Sequence, residues 1–302
     1  MVGWPQAHPG PVARRAPSPL ERPPLNKHWR LQQRIQRYGW DLAARAYEPL
    51  WQEQLAPAQA LMHRWAALAP GQRVLDVACG TGLASFDAAQ AVGASGRVVG
   101  VDLSGAMIEA AAQLASARGV THTDFLRMDA QELGFADAEF DAVLCGLGLM
   151  YMPQPERALA QMARVLRPGG QATLTVWGAR ARCGWASVFP IVDAEVQSEV
   201  CPLFFQLGLA DTLAQECAMA GLQVLGQERL ATTLHYDNAE QACDAIFIGG
   251  PVALAWSRFD APTRARVRQR YLQSIQPWRQ AEGFRIPGEF VVVKAAVARE
   301  AE

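Results

Sequence analysis

No run of apolar residues in this chain is long enough to cross a bilayer, so a membrane-spanning helix is not expected. The six cysteines (Cys79, Cys145, Cys183, Cys201, Cys217 and Cys243) include no C-x-x-C pair. That excludes a zinc knuckle and a disulfide frame, and suits buried thiols in a reducing, cytoplasmic setting. The five histidines show no metal-ligand spacing, so no metal site is expected. A net charge of −1 and a pI near 6.5 give no basic field for nucleic acid. A G-x-x-x-x-G-K-[ST] phosphate loop is missing as well. Acid is scarce in residues 1–26, where Pro5, Pro9, Pro11, Pro17, Pro19, Pro23 and Pro24 stand among arginines. With no apolar stretch there, a secretory signal is excluded and a disordered tail is expected.

What is present is organised around residues 73–85, RVLDVACGTGLAS. A short apolar run breaks into Ala78-Cys79-Gly80-Thr81-Gly82, and a helical pattern follows. This is a buried strand feeding a glycine turn that opens a helix, whose free backbone N–H groups suit an anionic ligand group. Before it, helical spacing begins near Lys27, continues through Tyr47 and Trp51, and resumes in a third helix over about 58–68. Trp29, Trp40, Trp51 and Trp65 form its aromatic stripe, as core or as a roof over a ligand. After it, strands at 97–101, 123–127, 140–145 and 171–177 alternate with helices at 82–92, 104–118 and 154–166. Arg167-Pro168-Gly169-Gly170 reads as a helix stop. The alternation predicts an α/β fold, a doubly wound and mostly parallel sheet. Beyond Gly178 come helices over 185–220, a strand near 222–236, helices at 238–249 and 261–276, and a last strand within 288–298.

The glycine turn alone leaves its ligand open. As a dinucleotide fingerprint it gives Gly80-x-Gly82-x-x-Ser85, with serine where Gly or Ala is required. Asp102 ends the next strand about 20 residues further on, where a carboxylate accepts from ribose hydroxyls; capping the following helix is its alternative role. Asp129-Ala130 follows the third strand and could meet an adenine edge or cap a helix. Together these outline a nucleoside site at successive strand ends.

The motifs VLDVACGTG (74–82), VVGVDLS (98–104), RMDAQELGFADAEFDAVLCGLGLMYM (127–152) and RVLRPGGQATLTVW (164–177) resemble the core of class I S-adenosylmethionine-dependent methyltransferases. Within that superfamily the chain is most similar to the ubiquinone/menaquinone-biosynthesis branch and its small-molecule relatives. The resemblance implies a seven-stranded, Rossmann-like sheet with its last strand antiparallel, and S-adenosyl-L-methionine as cofactor. By the same resemblance Asp76, Ala78, Gly80 and Gly82 surround the methionine moiety. Asp102 takes the ribose, Leu103 and Met107 sandwich the adenine, and Asp129 and Ala130 meet its edge. Cys145 approaches the methionine part through its backbone, and Tyr47 covers the cofactor. Ala78 stands where the family has its first motif glycine.

The expected organisation is a tail (1–26), an N-terminal helical cap (27–70), a cofactor-binding core (71–178), and substrate-side helices, a cap insert and final strands (179–302). The implied reaction is in-line methyl transfer to a small apolar or aromatic acceptor at O, C or N, in which the protein aligns and desolvates the nucleophile. If a base is needed, His235, Tyr151 and Tyr236 are the candidates. Trp29, Met150, Met152, Trp185, Phe189 and Phe204, with Phe205, Phe247 and Trp256, are candidates to face the substrate or to form the core of the cap. The partner is a small molecule, with no nucleic acid and no membrane span; a homodimer is compatible. The alternatives are a nicotinamide-dependent oxidoreductase and a non-catalytic S-adenosylmethionine-binding scaffold. Macromolecular or arsenite methylation fits less well, since the overall charge is near neutral, no RNA-binding appendage is seen and the cysteines are not in a telling arrangement.

Overall fold

The computed structural model describes residues 27–196, 201 and 203–299. The tail expected at 1–26 lies outside them. Helix α1 (Lys27–Ala66) precedes strand β1 (Arg73–Val77), helix α2 (Leu83–Val92), β2 (Arg97–Asp102), α3 (Gly105–Ala117), β3 (Thr123–Arg127) and β4 (Phe140–Gly146). Helix α4 (Pro155–Val165), β5 (Leu166–Trp177), α5 (Val188–Val196), α6 (Thr212–Met219) and β6 (Gln223–Tyr236) follow. Helices α7 (Ala239–Phe247), α8 (Ala253–Arg258) and α9 (Ala261–Ser274) lead into the last strand, β7 (Phe284–Ala296).

The seven strands form one sheet in the order β3-β2-β1-β4-β5-β7-β6. Strands β1 to β5 are parallel, and β7 runs antiparallel between β5 and β6. Both faces are covered, so β1, β2 and β4 are almost wholly buried and read as apolar runs. The strand order reverses between β1 and β4. A doubly wound sheet opens a crevice outside the strand ends at that point.

Two expectations are corrected here. The N-terminal region is one helix of 40 residues, although Pro49 and Pro57 lie inside it. Each proline removes one backbone donor and ordinarily breaks a helix. The helix persists because Ala43, Ala44, Trp51, Leu55, Ala58, Leu61 and Met62 bury one face of it on both sides of the prolines. Helix α4 does end at Val165, next to the run read as its stop, but Arg167–Gly170 itself lies within β5. The register against β4 jumps from Phe140↔Leu166 to Ala142↔Gln171, and Gly169 and Gly170 bond instead to Val297. Tertiary pairing has absorbed the turn residues as a bulge. Helix α8 has no counterpart in the sequence reading.

Helix α1 also closes an edge. Strand β6 is the last in the sheet, and the buried Gln54 side chain donates to His235 O and accepts from His235 N, both at 2.7 Å. One amide thus stands in for a missing strand. Replacing it, as Gln54→Leu, leaves a backbone donor and acceptor unpaired and is expected to cost about 1–3 kcal/mol in urea unfolding.

Candidate functional site

After β1 the chain makes three left-handed steps in five residues: Ala78 at φ 57°, Gly80 at 56° and Gly82 at 89°. Glycine takes this conformation freely, whereas an alanine there costs about 1–2 kcal/mol. The Ala78 methyl group has room because residue 148 is glycine; a Cβ at Gly148 would overlap it. Gly82 serves packing. A Cβ on it would come within 3.1 Å of both Phe86 and Phe125, the edge-to-face pair beneath the turn.

The turn is held by Asp102, at the end of β2. Its Oδ2 accepts from Gly80 N at 3.0 Å and its Oδ1 from Ser104 N at 2.8 Å. The Gly80 amide within the turn is therefore committed to a carboxylate. The cap of α3 is Ser104, whose Oγ accepts from Met107 N, and Asp102 keeps lone pairs for a ligand hydroxyl. Burial pushes the Asp102 carboxyl above its ordinary range. Helix α1 reaches the same place, where Ser104 Oγ donates to Asp41 at 2.6 Å. At the third strand end Asp129 Oδ1 accepts from Gln131 N at 2.9 Å and Oδ2 from Gln33 Nε2, again on α1.

These strand ends open into a cleft enclosing about 1040 Å³, part of it open to solvent. Tyr47, Ala78, Gly80, Asp102, Leu103, Met107, Asp129, Ala130 and Tyr151 line it, all expected from the sequence. Asp76 lines an adjoining recess that shares Tyr47, Leu55, Ala78 and Gly80 with the cleft. Ser85 Oγ donates to Asp76 at 2.6 Å, and burial, with the charge of Asp102 adding to it, pushes the Asp76 carboxyl up to about 7. In the same recess Thr175 Oγ1 is buried without a partner.

Other expected residues lie elsewhere. Gly82 lines neither space, and Cys145 lies behind the wall, its thiol pushed by burial to about 12, while Gly146, Leu147 and Gly148 form the surface. His235 is exposed on β6 and faces neither space, so it is not positioned as a base. Tyr236 is buried away from the cleft. Met152, Trp185 and Phe204 line the cleft; Phe189 and Phe205 pack behind them. Phe247 and Trp256 stack on each other at 4.3 Å outside the cleft. Of the four early tryptophans, Trp40 and Trp51 line it, Trp65 bonds Glu228 instead, and Trp29 does not reach it.

The sequence reading missed Gln33, Gln36 and Arg37, which line the cleft from α1. Their spacing to Trp40, Tyr47 and Trp51 was the available signal, since all fall on one side of a helix. It also missed how the rings join. Tyr47, Trp40, Tyr151, Phe204, Trp185, Trp177 and Trp51 form a continuous series of edge-to-face contacts with centroids 4.9–6.2 Å apart, and every member lines the cleft. Among the described residues its ionisable groups are Arg37, Asp102 and Asp129, with the hydroxyls of Tyr47 and Tyr151 pushed up by burial. Among the described residues no cluster could hold a metal ion, and no helix is long and apolar enough to cross a membrane.

Residues 74–170 match the family model described as a methyltransferase domain. That segment holds the glycine turn and strands β1 to β4 with the start of β5. Its named relatives lie in the quinone branch and beside it. The chain is 43% identical over 115 residues to a 2-phytyl-1,4-naphtoquinone methyltransferase of Synechococcus elongatus, covering 37% of this chain and 48% of that one. It is 40% identical over 102 residues to a demethylmenaquinone methyltransferase of Bacillus cereus (34% and 43%). To the aklanonic acid methyltransferase DauC of a Streptomyces species it is 34% identical over 137 residues (45% and 62%). The chain thus spans about half the length of the curated relatives it matches. Among solved structures, a putative methyltransferase from Bacillus halodurans aligns with a TM-score of 0.58 at 20% identity, over 80% of this chain and 98% of that one. The [4+2]-cyclase SpnF aligns at 0.57 and 23%, over 82% and 83%. At such identities the likeness is one of fold, and that fold carries more than one chemistry.

The raised Asp76 carboxyl has a measurable consequence. A carboxyl held up by burial favours the folded state when protonated, so its stabilising contribution is full below about pH 4 and is lost as pH rises through about 7. Asp76→Asn is expected to stabilise the ligand-free protein by about 2–4 kcal/mol at pH 8, with the difference vanishing near pH 4. Urea unfolding at a series of pH values measures this.

Proposed function

We propose that this protein transfers a methyl group from S-adenosyl-L-methionine to a small aromatic acceptor of the quinol or polyketide-phenol class. The observation that carries the reading is the union, in one cleft, of the strand-end carboxylates with the seven-ring wall. The named relatives act on naphthoquinone, menaquinone-precursor and aklanonic acid substrates, all of them polycyclic or ring compounds, which agrees with that wall.

The residues present fit the cofactor. Asp76 and the unpartnered Thr175 hydroxyl offer acceptors to an ammonium group, and the left-handed steps at Ala78 and Gly80 leave the backbone open to a methionine chain. Asp102 accepts from the ribose hydroxyls, Leu103 and Met107 flank the adenine, and Asp129 and Ala130 lie at its edge. Tyr47 covers the turn: a Cβ at Gly80 would sit 3.8 Å from its ring. When bound, the cofactor supplies a methyl group on a sulfonium, already activated for in-line displacement.

What remains for the chain is to align the acceptor and exclude water. The aromatic wall does both, offering ring faces and edges to a planar acceptor. Among the described residues no His, Lys or Glu side chain lines the cleft, and burial keeps the Tyr47 and Tyr151 hydroxyls protonated at neutral pH. A strong side-chain base is therefore not part of the reading. The acceptor brings an electron-rich carbon or an acidic hydroxyl that ionises by itself, which a quinol or a polyketide phenol does and an aliphatic alcohol does not.

Two measurements test this reading. Asp102→Asn, which keeps the side-chain volume, is expected to weaken S-adenosyl-L-methionine binding about 10- to 100-fold in calorimetry, the loss of charged hydrogen bonds to two hydroxyls. Unchanged affinity removes Asp102 from the ribose. A labelled-methyl screen should show transfer to hydroxynaphthoquinols and phenols and none to aliphatic alcohols or simple amines. Transfer to the amines alone overturns the acceptor class.

A further inference from the structure

The first half of α1 has a second face. At 100° per residue, Leu31, Ile35, Tyr38 and Leu42 fall within about 60° of one another around the helix, roughly opposite Gln33, Trp40, Tyr47 and Trp51, which line the cleft. These four are exposed by 54%, 37%, 43% and 52%, an unusual outlay of large apolar side chains on one stripe. Arg34 and Arg45 flank the stripe on one side, with Arg30 beyond them, and all three are exposed. Asp41 is the sole acid between Lys27 and Tyr47, and it is turned inward to Ser104 Oγ. Arg14, Arg15 and Arg22 precede the helix in the sequence, against one acid, Glu21. A chain whose net charge is −1 thus gathers positive charge around a single apolar stripe.

We propose that this face of α1 docks on an anionic lipid bilayer, with the stripe in the headgroup–acyl boundary and the arginines against lipid phosphates. An apolar stripe with arginines beside it, and no outward acid until Glu53 three turns beyond Leu42, is the pattern of a helix whose first half lies in a membrane interface. A second copy of the chain fits worse. A two-fold contact through the stripe would bring arginines against arginines, and a few hundred Å² per partner is below what a stable dimer buries. The preceding arginine-bearing segment is repelled by the same charge. Nucleic acid would use the arginines but leave the apolar stripe in water. Docking places the cleft about one helix diameter, roughly 10 Å, behind the membrane surface. An acceptor dissolved in lipid would then reach the cleft with little passage through water. The proposal concerns the outer face of α1 and holds whichever reaction the cleft performs.

The test is flotation of the full-length protein with vesicles of phosphatidylcholine alone and of phosphatidylcholine with phosphatidylglycerol in equal parts. The protein should bind the mixed vesicles, bind the neutral ones weakly, and fall back to the neutral-vesicle level on the mixed ones as salt is raised. Arg34→Gln with Arg45→Gln should lower partitioning about 25-fold, on about fivefold for each basic residue. Leu31→Ser with Ile35→Ser and Leu42→Ser should abolish it. All five positions are exposed and outside the cleft, so the melting temperature and cofactor affinity should be unchanged, which separates loss of docking from loss of the fold or of the methyl-transfer reading. Three results overturn the proposal: no binding to the mixed vesicles, equal binding by the triple serine variant, or a concentration-dependent dimer of the unaltered protein that this variant dissolves.

Discussion

One half-buried carboxylate holds two backbone turns. Asp102 accepts from the amide of Gly80 in the turn after β1 and from the amide of Ser104 in the turn after β2. The floor of the cleft is set by this pair of bonds, because each turn leads into a helix and each helix covers the sheet. Helix α1 is joined to the same point through Asp41 and Ser104, so the roof takes its position from the same hub as the floor. The burial that raises the Asp102 carboxyl is therefore a cost built into the architecture, offset in part by the two amides. A ligand that brings hydroxyl donors to it offsets more.

The sheet and its ligand end were readable in the sequence for a plain reason. Parallel strands buried on both faces are short apolar runs, and their ends are punctuated by Gly80, Gly82, Asp102 and Asp129, residues with few other uses in such places. Helix α1 was harder. Pro49 and Pro57 carry a strong local signal for breaks, and the burial that overrides it comes from strands and helices far along the chain. The same holds for Arg167–Gly170, whose turn chemistry yields to pairing with Val297. Local chemistry predicts local structure until a long-range contact outweighs it.

The aromatic residues show the same limit within the site. Composition supplied the rings but not their sorting. Trp185 and Phe204 face the cleft while Phe247 and Trp256 stack outside it, and no local feature distinguishes the two pairs. Nor could spacing reveal that His235 points away, since that depends on which side of β6 is presented and on Gln54 holding the backbone there. Gln33 and Arg37 share a helical face with Trp40, Tyr47 and Trp51, but polar residues on such a face have no meaning until the opposing wall is known.

The alanine at the first left-handed step has a consequence for how this sequence can drift. Its methyl group occupies the space into which a side chain on residue 148 would extend. The two positions share one vacancy, and a single methyl group fills it. While residue 78 is alanine, residue 148 is confined to glycine; with glycine at residue 78, a small side chain at residue 148 needs only a slight shift of Cys145, whose Sγ would be 3.2 Å away. Order of substitution therefore matters, and one path between the two arrangements is open while the other passes through a clash.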